Sequence, residues 1–359
     1  MVSAAFEYLR VFSLNEAVQA LTGHDEDAKL LAGGQSLVPM LNLRLAMPSV
    51  LIDINDADSR EPFLDAGTLV LPALTRHAQL IASPLIRGSA PMLSAAVGHV
   101  GNVRVRNRGT IGGSLAHADP TAEISCTALA LDASVVVLGP DGERTIPVDD
   151  FFAGYLSTRL EPDEVITEVR VPAHRPRRGW SFIEVARRAA DFAVVAVAAS
   201  VEVDPAGIVQ HARVGLACVA DRVVLADPEA IGSLIGTVPT SAQLADVARA
   251  AAQATSPESD VHASGAYRKR LAAVLTRRAL AEAIGRARDL GVPAAGPPAA
   301  GSPAAGSPAA GPPAAGSPAA GSPAAGSPAA GSPAAGPPAA GSPAAGPPAS
   351  GAPAPGGPA

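Results

Sequence analysis

From Pro293 to Ala359 the chain contains only Pro, Ala, Gly and Ser, and this segment limits how much of the sequence can fold. It holds 19 Pro and 14 Gly among its 67 residues, without a charged, aromatic or branched aliphatic side chain. Such a segment buries too little apolar surface to offset the loss of chain entropy. Its period of five, as in Pro-Ala-Ala-Gly-Ser, also differs from the three-residue glycine repeat of collagen. We therefore predict a disordered Pro/Ala/Gly/Ser repeat tail over 291–359 and folded units within 1–290.

Charge and cysteine content narrow the class of protein further. The 33 acidic residues outnumber the 27 basic ones without a long run of either sign, whereas nucleic-acid-binding domains usually carry a basic excess. Arg104, Arg106 and Arg108 alternate as on a strand, and a solvated strand face is one interpretation of them. Cys126 and Cys218 are too few for a disulfide framework or for the four ligands of a typical iron–sulfur cluster. We expect two buried thiols and no nucleic-acid partner.

No segment indicates export or membrane insertion. The first residues lack both the basic region and the apolar core of a secretion signal. The longest apolar stretch, residues 192–201, is too short to cross a bilayer. The sequence therefore predicts a cytoplasmic protein without a transmembrane segment.

Hydrophobic periodicity separates an α/β first half from an antiparallel second half. Ser13 is expected to cap the first helix, Thr75 the third, and Asp141-Gly142 to form a hairpin turn. A boundary is expected near Pro172–Pro176. We expect helices near 14–22, 38–45, 75–81, 90–100, 121–131, 241–254 and 266–286, and strands near 29–32, 50–54, 68–73, 133–138, 165–171, 181–188, 194–203 and 211–219. The domains predicted from these elements are 1–175, with subdomains of about 1–55 and 56–175, and 176–290.

Two glycine pairs are the strongest indication of a ligand site in the sequence. Gly33-Gly34 follow a predicted strand and precede a helix, and Gly112-Gly113 occur in a second turn after the arginine stretch. Consecutive glycines allow backbone amides to converge on an anion, and the N-terminus of a helix adds a favourable dipole. The flanking hydroxyls of Ser36, Thr110 and Ser114 add further donors. Together the two turns predict a clamp for a cofactor diphosphate.

Other nucleotide sites and enzyme centres do not fit the sequence. There is no Gly-x-Gly-x-x-Gly after the first strand and no P-loop lysine, so NTP hydrolysis is not expected. His117 stands beside the second turn without a second His or Cys at ligand spacing, which argues against a metal site. No Ser, His and Asp set supports a hydrolase.

The motifs around both glycine pairs resemble those of the FAD-binding medium subunits of molybdenum hydroxylases, the family of carbon monoxide dehydrogenase medium subunits and xanthine dehydrogenase FAD-binding subunits. The resemblance covers essentially all of 1–290 and excludes the tail. It is carried by residues 32–39, 44–46, 51–55, 106–114, 118–120, 188–193, 267–268 and 277–280. It implies an α+β fold, with a two-subdomain FAD-binding domain of the vanillyl-alcohol-oxidase (PCMH) type followed by a C-terminal α+β domain of an antiparallel sheet plus helices.

The resemblance also implies positions for FAD. The two glycine motifs would hold the diphosphate, Asp119 and Glu123 would lie near the adenosine ribose, and Phe192 would stack on or shield the isoalloxazine. The residues assigned to the cofactor in this way are Ala32, Gly33, Gly34, Gln35, Ser36, Thr110, Ile111, Gly112, Gly113, Ser114, Asp119, Glu123 and Phe192. Gln35 stands where carbon monoxide dehydrogenase-like members often have His, and it cannot form a covalent flavin bond. Non-covalent FAD is therefore expected, and no residue is expected to be catalytic or metal-binding.

Plainer interpretations stand beside three of these assignments. Asp119 also suits the cap of a helix starting near Thr121, and Glu123 suits an acidic partner of that helix's dipole. Phe192 begins an apolar run of the kind usually found in a core.

The resemblance implies an electron-transfer subunit. A molybdopterin-containing large subunit would oxidise the substrate, and a [2Fe-2S] small subunit would pass electrons to this FAD. An external acceptor, namely a quinone, a cytochrome, NAD or oxygen, would then take them. Two other functions stay open at this point, a self-sufficient FAD-dependent oxidase and a flavin-free assembly module. Substrates from carbon monoxide to purines, aldehydes and nicotinate-like heterocycles all fit equally.

Overall fold

In the computed structural model, which describes residues 3–24 and 27–289, the chain begins with a small parallel sheet. Its strand order is β1 (Glu7–Arg10), β3 (Val50–Asp53), β2 (Ala28–Leu31). Helix α1 (Leu14–His24) connects β1 to β2, and α2 (Leu37–Leu43) connects β2 to β3. Both neighbours pair with β3 in parallel, so the carboxyl ends of β1 and β2 lie at the same edge of the sheet. The segment after β2 is the first glycine pair, which is therefore placed at that edge.

A second sheet of five antiparallel strands follows. Its spatial order is β4 (Phe63–Asp65), β5 (Thr68–Pro72), β10 (Val165–Pro172), β6 (Ser134–Gly139) and β7 (Gly142–Pro147). Between β5 and β6 the chain forms six short helices, α3 (His77–Ala82), α4 (Pro84–Ser89), α5 (Pro91–Val97), α6 (Val103–Arg108), α7 (Ile111–His117) and α8 (Glu123–Leu131). After β7 come α9 (Val148–Phe151) and the small hairpin β8 (Phe152–Gly154) and β9 (Ser157–Thr158).

The remaining described residues form an antiparallel sheet and three helices. The strands are β11 (Arg178–Ala186), β12 (Ala193–Val203), β13 (Val209–Ala217) and β14 (Val224–Leu225), in that spatial order. The helices are α10 (Pro228–Gly232), α11 (Ser241–Gln253) and α12 (Gly265–Arg288). Thr240 and Gln243 form a reciprocal capping box at the start of α11.

Successive side chains of β12 point to opposite faces of the sheet, and each face belongs to a different core. Val195 and Val197 pack with the residues of α11 and α12 in one cluster. Ala196 and Ala198 face the opposite way and join the core that contains α8. Small side chains on that face allow the helix to approach the sheet, and a Cβ added to Gly215 on β13 would lie 2.3 Å from the carbonyl oxygen of Cys126 in α8. This sheet is therefore a layer shared by both cores.

The α+β fold class predicted from the sequence is confirmed, and two local predictions are wrong. Thr75 does not cap α3, since Arg76 is the N-cap residue and the Thr75 hydroxyl is buried without a partner. Arg104, Arg106 and Arg108 lie on the helix α6 rather than on a strand. Alternating charge cannot separate a strand from a two-turn helix, and the cap on Asn102 selects the helix here by accepting bonds from two amides.

The structure does not test the predictions for the repeat tail and for the domain boundaries. The repeat tail at 291–359 lies outside the described residues. The domain boundaries predicted at 55, 175 and 290 remain predictions. In residues 3–24 and 27–289, no helix is long and apolar enough to cross a membrane.

Candidate functional site

The first glycine segment forms a tight connection between β2 and α2. Gly34 has φ of +72°, a left-handed conformation that favours glycine. A Cβ on Gly33 would overlap the carbonyl oxygen of Arg108 and lie 2.8 Å from the Cα of Gly109. The first segment therefore packs directly against the backbone that leads into the second.

The amides of this segment are open to a ligand. Among residues 3–24 and 27–289, no acceptor is hydrogen-bonded to the amide N–H groups of residues 33–37, a run of five donors. Gly33 is buried, Gly34 and Leu37 are half-buried, and the two residues between them are exposed. All five line the cavity described below, so their amides are free to donate to a bound acceptor, as the first N–H groups of a helix generally are. The helix α2 starts at the end of this run and adds its positive dipole end.

The second glycine segment differs from its prediction as a turn with free amides. Gly112 and Gly113 lie in the first turn of α7, whose N-cap is Thr110. The amides of Ile111 and Gly112 donate to Thr75 and Ala73 carbonyls at 3.0 and 2.9 Å. The Gly113 amide donates to the Thr110 hydroxyl at 3.1 Å, and the Ser114 amide donates to the Thr110 carbonyl at 3.0 Å. This segment therefore offers hydroxyls, space and a helix N-terminus instead of amide donors.

Both segments line one cavity of about 640 Å³. That volume lies in the range of about 300–1,000 Å³ typical of cofactor and small-molecule sites. Of the predicted site residues, Ala32, Gly33, Gly34, Gln35, Ser36, Thr110, Gly112, Gly113, Ser114, Asp119, Glu123 and Phe192 line it. Ile111 does not, because its side chain is buried in the core beneath α7. The tertiary structure thus brings together twelve positions that are dispersed over 161 residues of sequence.

Asp119 and Glu123 occupy the cavity wall at the start of α8. The Asp119 carboxylate accepts from both the amide and the hydroxyl of Thr121 at 2.7 Å, so it orders the turn before the helix. It is not the helix cap, because α8 begins at Glu123 with Ala122 as its N-cap. Glu123 is in the first turn of α8, as the dipole interpretation requires. Burial, with a smaller contribution from the nearby charge of Asp119, raises the pKa of Glu123 to about 7 against the opposing effect of a backbone hydrogen bond.

A second half-buried carboxyl, that of Glu184 on β11, interacts with Glu123. Burial, together with the charge of Glu123, raises the pKa of Glu184 to about 8. One of its oxygens, Oε2, is buried without a hydrogen-bond partner. At a pH between the ordinary value of 4.5 and these raised values, both carboxyls are protonated in the folded chain and ionised in the unfolded chain.

We expect the stability of the cofactor-free chain to fall as pH rises from about 4.5 to about 8 and then to level off. In that window the unfolded carboxyls, with an ordinary pKa of 4.5, have lost their protons, while the folded ones keep theirs until pH passes about 7 and 8. Urea midpoints across this window measure it. Glu184→Gln should flatten the slope, and Glu143→Gln, at an exposed position on β7, should keep it. Equal slopes in all three proteins would contradict the assignment.

Phe192 lies at the edge of the cavity and not in a core. Its side chain is 72% exposed, which excludes the interpretation as core packing. The preceding residues form a bend in which Ala190 has φ of +63°. An exposed aromatic ring beside an apolar cavity is suited to stacking on a planar ligand.

His77 is a cavity residue that the sequence did not reveal. Its Nε2 lies 3.0 Å from the Thr110 carbonyl and 3.0 Å from the Ser114 hydroxyl. Because a carbonyl can only accept, Nε2 carries the proton, and the buried Nδ1 has no partner. Burial lowers the pKa of His77 to about 4, so the ring is neutral. A single His in a predicted helix shows no motif in the sequence. It reaches the cavity because residues 73–77 pair with the second segment in the folded chain.

Comparison with known proteins decides the family. Residues 4–174 match the FAD binding domain in molybdopterin dehydrogenase, and residues 180–283 match the CO dehydrogenase flavoprotein C-terminal domain. The chain belongs to the FAD-binding medium subunits of molybdenum hydroxylases. FAD is the cofactor of this family of oxidoreductase subunits.

The chain aligns with individual relatives over nearly their whole length. It is 38% identical over 289 residues to the 6-hydroxypseudooxynicotine dehydrogenase complex subunit alpha of Paenarthrobacter nicotinovorans, covering 80% of this chain and 97% of that protein. It is 37% identical over 287 residues to the carbon monoxide dehydrogenase medium chain of Hydrogenophaga pseudoflava, with 80% and 99% covered. A solved carbon monoxide dehydrogenase structure from the latter organism matches with a TM-score of 0.78 at 38% identity, covering 80% of this chain and 99% of that one.

Proposed function

We propose that this medium subunit holds FAD non-covalently and transfers electrons within a molybdenum hydroxylase complex. Electrons would arrive from [2Fe-2S] clusters of a small subunit, after substrate oxidation on a molybdopterin-containing large subunit, and leave to an external acceptor. The observation that carries the proposal is the run of five unpaired amides at 33–37, which faces a cavity also lined by the second glycine segment. The cytoplasmic location predicted from the sequence is part of this proposal.

The residues present fit a dinucleotide flavin. Amides of Gly33 to Ser36 and the dipole of α2 suit the diphosphate, which is doubly charged and needs several donors. Ser114 of the second segment also lines the cavity, and its hydroxyl is a further donor. Gly113, whose position is exposed in the cavity, leaves room for close approach.

The other cavity residues suit the two ends of the cofactor. Asp119 and Glu123 provide acceptors for ribose hydroxyls, and Glu123 provides a donor when it is protonated. Phe192 covers the flavin ring from the cavity edge. Ile111 acts indirectly by anchoring α7 in the core. FAD, when bound, supplies the redox chemistry, and the protein binds and orients it.

The cysteines support a division of labour between subunits. Cys126 and Cys218 are both buried, and burial raises the pKa of Cys218 to about 12 and that of Cys126 further still. These thiols stay protonated and do not become thiolate ligands. Among the described residues, no group of three or more His, Cys, Asp and Glu side chains is arranged to hold a metal ion. Iron–sulfur clusters would therefore be carried by a different chain.

Affinity purification of the tagged full chain from its own host tests the proposal. We expect FAD, molybdenum and iron in the purified complex, with one molybdopterin-containing and one iron–sulfur subunit identified by mass spectrometry. The isolated chain should bind FAD without oxidising substrates. Turnover by the isolated chain would favour the self-sufficient oxidase, and a colourless chain that takes up no FAD would favour the assembly module.

We expect acid precipitation to release all of the flavin from the protein. Gln35 has no nucleophilic nitrogen and its Nε2 donates to the Gly33 carbonyl at 3.2 Å, so it cannot form a flavin bond. Flavin fluorescence in the supernatant should equal the total bound before precipitation. Flavin that stays in the pellet and moves with the protein in a denaturing gel would contradict non-covalent binding.

A further inference from the structure

A hydrogen-bonded bridge lies behind the cavity and connects the two glycine segments. Its central residue is Arg76, the N-cap of α3, and its second member is Asn55, which follows β3. Neither residue lines the cavity. Their contacts are therefore with the backbone that carries the site and not with a ligand in it.

Arg76 contacts Asn55 and the backbone that leads into the second segment at the same time. Its Nη1 donates to the carbonyl of Arg108 at 2.5 Å, and its Nη2 donates to Oδ1 of Asn55 at 2.6 Å. The Arg108 carbonyl is the atom that a Cβ on Gly33 would strike, so Arg76 binds the point where the two segments touch. A planar guanidinium with fixed donors can hold two acceptors at a defined separation.

Asn55 continues the bridge to the first segment. Its Nδ2 donates to the carbonyl of Ala32 at 2.9 Å, with a longer bond of 3.3 Å to Leu31. The same Nδ2 and the Asn55 amide bond to Oδ1 of Asp53 at 2.6 and 2.9 Å. These acceptors fix the orientation of the side-chain amide, so its oxygen must face Arg76.

The backbone around Arg76 is itself paired with the second segment. The amide of His77 donates to the Gly109 carbonyl at 2.9 Å, and Arg76 and Thr110 form an isolated antiparallel bridge. The 73–77 segment thus holds the second glycine segment through its backbone, and the side chains of Arg76 and Asn55 together connect it to the first.

We propose that Arg76 and Asn55 are positioning residues that set the distance between the two glycine segments and so the affinity for the FAD diphosphate. This inference rests on the proposed function, since it assigns both segments to one diphosphate. The first segment contributes unpaired amides and the second contributes hydroxyls. A change in their separation therefore moves the donors of one group away from the ligand while leaving the other in place.

The test is FAD titration of the full, cofactor-free chain and three variants, Arg76→Ala, Asn55→Ala and the double variant. We expect each single change to raise the FAD dissociation constant about tenfold, which is typical for the loss of a charged hydrogen bond. Because both residues belong to one bridge, the double variant should lose little more than either single variant. Additive losses, or unchanged affinity, would overturn the inference.

Arg60→Ala is the matched control for loss of an arginine. Arg60 is half-exposed and bonded to Asp58 and Glu168, away from both glycine segments. Its removal should lower thermal stability yet leave the FAD dissociation constant within about twofold. A tenfold loss of affinity in this control as well would show a general effect of destabilisation and overturn the assignment.

Arg76→Lys tests the inference even if the alanine variant fails to fold. An ammonium group keeps the charge but reaches one acceptor at a time, so we expect about threefold weaker FAD binding with a nearly unchanged melting temperature of the cofactor-free chain. Parental affinity in this variant would overturn the inference. Failure of the unmodified chain to bind FAD would instead reject the proposed function itself.

Discussion

Gly33→Ala is expected to weaken FAD binding by up to about two orders of magnitude in a chain that still folds. The new Cβ would overlap the Arg108 carbonyl and lie 2.8 Å from the Gly109 Cα, and both are backbone atoms that cannot rotate away. The first segment must therefore move out from the second, and the run of amides at 33–37 moves with it. Overpacking of this kind costs about 1–3 kcal/mol, which corresponds to about 5- to 150-fold in affinity if it acts entirely on the bound state.

The measurement is the flavin content of purified protein together with calorimetric titration of FAD. Gly23→Ala is the control, since this glycine lies in α1 with no atom near its added Cβ. Alanine is a better helix former by up to about 1 kcal/mol, so the control should bind FAD normally and be at least as stable. Stoichiometric flavin in the Gly33→Ala protein would contradict the packing argument.

Gly215→Ala is expected to lower the stability of the whole described chain and to weaken FAD retention. Gly215 is on β13, and a Cβ there would overlap the carbonyl of Cys126 in α8. The sheet and the helix would have to separate along the layer that both cores share. We expect a loss of about 3 kcal/mol, and a melting temperature lower by roughly 6–12 °C for a chain of this size.

Gly215→Ala should also weaken FAD binding, because α8 begins at Glu123 and this residue lines the cavity. Differential scanning calorimetry with and without FAD measures both effects. Gly232→Ala provides the comparison, since its added Cβ meets nothing within 4 Å at the end of α10. It should melt within about 1–2 °C of the parent, because open surface positions change stability by little. A Gly215→Ala protein with parental stability would show that the helix and sheet can separate without strain.

The two glycine motifs contribute in different ways to the candidate site. They look equivalent in the sequence, where each is a glycine pair with hydroxyls beside it. In the structure the first leaves its amides unpaired, while the second uses its amides to attach α7 to the 73–77 segment. A substitution in the first segment should therefore act mainly on ligand binding, and one at Gly112, which packs against Ala73, mainly on the fold.

Local patterns in the sequence determined much of the architecture. Alternation of Val and Ala along β12 predicted a strand, and its neighbours predicted an antiparallel sheet, because apolar spacing reports which face of an element is buried. Ser13 was recognised as a cap, and its hydroxyl accepts from the Glu16 amide at 3.1 Å. Short elements such as β1, β4 and β14 were missed, because two to four residues contain too little periodicity.

The sequence alone also determined the family, since two glycine motifs in order with their flanking residues are specific enough to carry it. What it could not determine was which amides are free, or that His77, Arg76 and Asn55 meet the motifs. Those facts depend on contacts between residues 20 to 40 positions apart in the chain, as between Asn55 and Ala32 or Arg76 and Arg108. A hydrogen bond of this kind exists only once both backbones have been placed by their own cores, so the tertiary structure decided it.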